Sequence, residues 1–138
     1  MRRMSGDRAS ERRGIDEDSL RALVDAFYAR VRADTALGPV FNDAIHDWPE
    51  HLDQLTNFWS SVMLTSGRYK GQPVPVHKKH GDRITPALFD RWLALWAETT
   101  NALMSPDAAA ALQLKAARIA ESLQLALFFK LPDRGTAA

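Results

Sequence analysis

The chain has no cysteine. That excludes a disulfide framework and any cysteine-ligated zinc or iron–sulfur site, and it suits a cytoplasmic protein. Long apolar runs are missing as well, so no stretch reads as a membrane span. The N-terminal arginine pairs lead into "GIDEDSL", where a signal peptide would need an apolar run. There is no phosphate-binding glycine loop, no serine-nucleophile elbow and no paired-carboxylate motif. Charge of one sign is also scarce: the net charge is +1. It is unevenly spread. Residues 1–14, "MRRMSGDRASERRG", carry five arginines against Asp7 and Glu11 and sum to +3, which leaves −2 on the rest. A body of that charge argues against nucleic acid as a partner. With so few apolar residues, the first fourteen positions read as a disordered basic arm.

What is present reads as one soluble domain. The 138 residues are 46% hydrophobic and 25% charged, enough for a single core. Leu20, Leu23, Val24, Phe27, Tyr28 and Val31 recur at helical spacing over 16–33. Gly38-Pro39 and Asn42-Asp43 then mark a bend. Asp47-Trp48-Pro49-Glu50 is a helix start, with Asp47 as cap and Pro49 in the first turn. The helix that follows aligns His51, Leu55, Phe58 and Val62, and it is expected to end near Gly67. Thr85-Pro86 and Ser105-Pro106 open two more helices. No segment alternates as a strand does. The pattern is all-α: four substantial helices and one irregular segment stiffened by Pro73 and Pro75.

Three polar-capable side chains interrupt otherwise apolar helix faces: Tyr28, His51 and Trp92. Each has an ordinary packing explanation. Together they are three hydrogen-bond donors aimed at one interior. His77 follows the proline-stiffened loop, an approach that would hold a ligating residue in place, although a surface-loop histidine fits the same residues. His77 and His80 share a helical spacing that zinc sites also use, but spacing supplies no third ligand.

Several stretches carry a resemblance to a known family. "FYARVRADTALGPVFNDAI" (27–45), "DWPEHLDQLTNFWSSVML" (47–64), "GRYKGQPVPVH" (67–77), "FDRWLALW" (89–96) and "AARIAESLQLAL" (116–127) together resemble the group III truncated haemoglobins of bacteria. The likeness covers about residues 16–130. Other truncated-globin groups usually carry Gly-Gly pairs at helix junctions, and this chain has none. The resemblance implies an all-α, two-on-two helical sandwich around a haem b, with a basic arm at 1–14, a globin domain at 15–131 and a disordered tail at 132–138. It implies that His77 is the iron ligand on the proximal side. It makes Tyr28, His51 and Trp92 the distal residues around a bound gas. Phe27, Phe41, Leu55, Phe58, Met63, Phe89 and Trp96 become candidate haem-packing residues, with Arg68 and Tyr69 as partners of the propionates. The likeness departs at "HKKHGDRITP" (77–86), where relatives usually have a Leu-Pro element after the proximal histidine. That departure leaves His80 as a competing ligand.

The implied function is binding of oxygen, nitric oxide or carbon monoxide at a histidine-ligated iron. Donors around the ligand would slow its escape, which suits ligand chemistry or sensing better than transport. The alternative is a redox enzyme on the same haem, a nitric oxide dioxygenase or a peroxidase-like activity. No flavin or nicotinamide domain is evident, so sustained turnover would need an external reductase. A haem-free helical interaction module is the third reading.

Overall fold

The computed structural model describes residues 12–71, 77 and 83–128. Five helices lie among them: α1 (Glu17–Ala33), α2 (Leu37–Ala44), α3 (Trp48–Leu64), α4 (Pro86–Leu103) and α5 (Pro106–Leu127). α1 packs on α2, α3 and α4, and α4 packs on α5, so the α1/α3 and α4/α5 pairs meet through α1 and α4. That is the two-on-two arrangement. No helix among the described residues is long and apolar enough to cross a membrane.

Each helix starts where its residues direct. Asp16 accepts from the Ser19 N–H at 2.7 Å, and the Ser19 hydroxyl accepts from the Asp16 N–H at 2.9 Å. This reciprocal capping box satisfies two donors that have no partner inside the helix. Asp47, Thr85 and Ser105 cap α3, α4 and α5 by accepting from the N–H three residues on, each followed by proline in the first turn. α3 stops at Leu64, three residues short of Gly67. Thr65 takes up the left-handed conformation instead (φ 53°), and Gly67 follows it there (φ 71°).

The largest difference from expectation is α2. Gly38-Pro39 reads as a bend, yet a helix runs straight through it. Two observations explain this. Pro39 sits in the first turn, where no backbone N–H is needed. Asp34 accepts from the N–H groups of Ala36 and Leu37, at 3.0 and 2.9 Å, and so stands in for a cap. Gly38 is required for a separate reason: a Cβ there would lie 2.6 Å from the Arg32 carbonyl oxygen, where α2 crosses the end of α1.

The core is aromatic. Phe27 and Trp96 are fully buried and Trp59 almost so, with Leu20, Leu23, Leu112 and Met104 around them. A smaller cluster of Phe89, Ala120 and Leu123 lies between α4 and α5. The end of the expected arm is tied down. Arg13 donates to the Leu103 carbonyl at 3.2 Å and accepts from the Ser105 N–H at 2.9 Å, which straps it across the α4–α5 turn. The Arg12 guanidinium donates to the Asn101 carbonyl at 3.2 Å. Residues 1–11 and the expected tail at 132–138 lie outside the described residues.

Candidate functional site

A cavity of about 420 Å³ lies between the two hydrophobic clusters. Its lining is mostly apolar: Leu37, Val40 and Phe41 from α2, Leu55 and Phe58 from α3, Leu88 and Phe89 from α4, and Ile119 and Leu123 from α5. Four chemically distinctive side chains share it. They are Tyr28 from α1, His51 from the first turn of α3, Trp92 from the middle of α4, and His77. His77 has helical backbone and is partly buried. An apolar chamber with a few convergent polar groups is what small-molecule and cofactor sites look like, at about 300–1,000 Å³.

Burial sets the electrostatics. Tyr28 is 3% exposed, and loss of hydration pushes its hydroxyl pKa far above the ordinary tyrosine value. The Trp92 indole, acting as a hydrogen-bond donor beside it, pulls the other way without overcoming burial. The hydroxyl therefore keeps its proton. The His51 pKa is lowered, chiefly by burial and secondly by the His77 imidazole. His51 is thus neutral at pH 7, with one ring nitrogen able to donate and the other to accept. Its ring meets Trp48 edge-on at 5.6 Å and Tyr28 at 6.3 Å between centroids.

No family model matches the chain. Comparison with individual proteins is decisive. The chain is 35% identical, over 120 residues, to a group 3 truncated hemoglobin of Campylobacter jejuni, covering 83% of this chain and 92% of that protein. The crystal structure of group III truncated hemoglobin from Campylobacter jejuni superposes with a TM-score of 0.73 at 36% identity, again over 83% and 92% of the two chains. The chain belongs to the group III truncated haemoglobins.

Membership in this globin family carries haem binding with it. The cavity fits such a group: it combines a mostly apolar lining, an imidazole on the wall and separate donors converging on the same space. Among the described residues no three His, Asp or Glu side chains gather as a site for a bare ion. His80 lies outside the described residues.

Of the other residues singled out for this truncated haemoglobin, Phe41, Leu55, Phe58, Tyr69 and Phe89 line the cavity. Tyr69 is held there by its N–H, which donates to the Ser61 hydroxyl at 2.8 Å, and by edge-on contact with Phe58. Four residues are placed elsewhere. Phe27 and Trp96 sit one layer behind the wall, where they back Tyr28 and Trp92. Met63, partly buried, packs against the main core. Arg68 lies outside the wall, 3.4 Å from the Glu17 carboxylate. Both Phe27 and Met63 fall on apolar helix stripes, and a stripe cannot say which of its residues reach the cavity and which stop behind it.

Gln54 is a lining residue that sequence reasoning missed. It stands one turn after His51 and is exposed, so it brings an amide to the open side of the chamber. The signal available was the i, i+3 relation to His51. Trp59, buried in the core, also borders the cavity.

Proposed function

We propose that this truncated haemoglobin holds a haem b through the imidazole of His77 and presents Tyr28, Trp92 and His51 to a diatomic gas ligand. The observation that carries the reading is convergence. Four polar-capable residues from positions 28, 51, 77 and 92 border one mostly apolar chamber. When bound, haem iron would supply an open coordination position for oxygen, nitric oxide or carbon monoxide. The chain's own residues would do the rest. Tyr28 would donate from a hydroxyl that stays protonated at neutral pH, and Trp92 would donate from its indole N–H. His51, being neutral, would donate from one nitrogen or take up a proton at the other. Phe41, Leu55, Phe58 and Phe89 would exclude water, which strengthens each of these hydrogen bonds. At about 1 kcal/mol net apiece, two donors would slow ligand escape by about tenfold or more. That favours ligand chemistry or sensing over transport.

His51 also favours a second reading, a redox enzyme of the nitric oxide dioxygenase or peroxidase-like kind. A neutral imidazole beside the ligand can accept a proton at pH 7. Such an enzyme would draw electrons from an external reductase. The absence of cysteine agrees with a cytoplasmic setting, where reductases are at hand. No nucleic-acid partner enters either reading.

The test is optical. Ferric and ferrous spectra of the wild-type protein should show the intense haem band. That band should be lost in His77→Ala and kept in His80→Ala. Loss in His80→Ala alone would move the ligand to His80. A wild-type protein that neither carries haem nor takes it up would overturn the proposal.

A further inference from the structure

Two of the chain's four tryptophans, Trp59 and Trp92, line the cavity, and Trp96 joins them in one continuous stack. Trp92 and Trp96 lie parallel, with planes 3° apart and centroids at 5.8 Å. Trp96 and Trp59 follow at 18° and 4.6 Å. Trp92 and Trp59 both border the cavity, while Trp96 between them is fully buried. Both ends of the stack therefore reach the same chamber. Indole is also among the most easily oxidised side chains, and the chain has no cysteine to compete with it.

We propose that Trp92, Trp96 and Trp59 form an internal one-electron reservoir for oxidants generated in the cavity, an inference that rests on the haem reading above. One electron leaves the indole π system and reduces the oxidant by one equivalent. The positive charge spreads over parallel rings in contact. The indole proton stays in place: Trp96 Nε1 donates to the Leu112 carbonyl at 3.1 Å, and a carbonyl is too weak a base to remove it. That same carbonyl dipole favours the positive charge. A one-electron donor AH, of the ascorbate or phenol class, then restores the stack. Two passages complete the reduction of a hydroperoxide: ROOH + 2 AH gives ROH + H2O + 2 A•.

The neighbouring rings are poorer hosts for the charge. The Arg32 guanidinium lies 4.6 Å from the Trp48 ring centroid, and a second positive charge beside it is disfavoured. Tyr28 must lose its proton on oxidation, and burial already disfavours that loss. The stack therefore retains the charge that Trp48 and Tyr28 would otherwise share.

The experiment is freeze-quenched electron paramagnetic resonance of haem-loaded protein after one equivalent of hydrogen peroxide. Protein containing ring-deuterated tryptophan is compared with protein containing ring-deuterated tyrosine. The expected radical narrows with deuterated tryptophan only, persists in Trp48→Phe, and is lost or becomes tyrosyl in Trp96→Phe and Trp59→Phe. A radical that responds only to deuterated tyrosine overturns the proposal, as does loss of the signal in Trp48→Phe. The labelled wild-type comparison decides the case even if Trp96→Phe does not fold. A missing haem band sinks the haem reading and the reservoir together. A normal haem band without an indole radical sinks the reservoir alone.

Discussion

Tyr28 illustrates how position turns an ordinary side chain into a specialised one. On the surface its hydroxyl would be hydrated and of little consequence. Held at the cavity with Phe27 edge-on behind it, at 4.7 Å, it is a protonated donor with a fixed direction. Tyr28→Phe removes one hydrogen bond and little else. Ferrous oxygen should then dissociate about fivefold faster in stopped-flow measurements, the equivalent of about 1 kcal/mol. An unchanged off-rate would remove Tyr28 from the proposed distal role. Phe27, which is fully buried, has the opposite character. Phe27→Ala should cost about 3–5 kcal/mol of stability in urea unfolding, because it opens a hole beneath both Tyr28 and Trp92. The grouping of three residues at one cavity was legible beforehand. Polar-capable residues on apolar faces pointed to Tyr28, His51 and Trp92 without any coordinates. The Trp59–Trp96 stack was not legible, because it joins two helices and neither helix's own periodicity carries a sign of the other.

Among the elements, α2 was the one hidden by its own composition. Gly38 and Pro39 are turn residues by propensity, and here they serve a close crossing and a first turn. Gly38→Ala puts a methyl 2.6 Å from the Arg32 carbonyl oxygen, so α2 must shift outward. We expect a loss of about 1–3 kcal/mol in chemical unfolding, against near-neutrality for Ala at an open helix site. Asp34 fastens the start of the same helix and also reaches Arg91 of α4 at 2.7 Å. Its carboxyl is held below the ordinary carboxylate pKa, first by Arg91 and then by the Leu37 N–H. The folded state therefore binds the proton less readily than the unfolded state. The stabilisation is complete above the unfolded value near 3.8 and is lost as pH falls through the lower folded value. Asp34→Asn keeps a capping oxygen but loses the charge paired with Arg91, and should cost up to about 1 kcal/mol at pH 7. The difference from wild type should shrink as unfolding is followed down through pH 3.8. A gap that stays constant over that range would assign the effect to packing rather than charge. The four other helices were readable because their caps are local: Asp16, Asp47, Thr85 and Ser105 each bond within three residues.

At the scale of the whole molecule, a cofactor seated between two hydrophobic clusters should join them. Ligand that binds only the folded state adds about 2.7 kcal/mol at a hundredfold excess over its Kd. Calorimetry of haem-free and haem-loaded protein should accordingly show Tm rising by several degrees on loading; equal values would mean that the group does not bridge the clusters. The Arg13 strap has a different consequence, one of order rather than strength. The Arg12–Asn101 bond beside it joins residues 89 apart in sequence, whereas each helix closes on itself within four residues. Loop-closure entropy makes such a pairing late to form and early to open, in a chain whose other contacts are largely local and fast. Native-state hydrogen exchange should therefore find the Ser105 amide, bonded to Arg13, exchanging well before the amides midway along α1. The strap closes the folded chain last, and slow fluctuations of the native state should release it first.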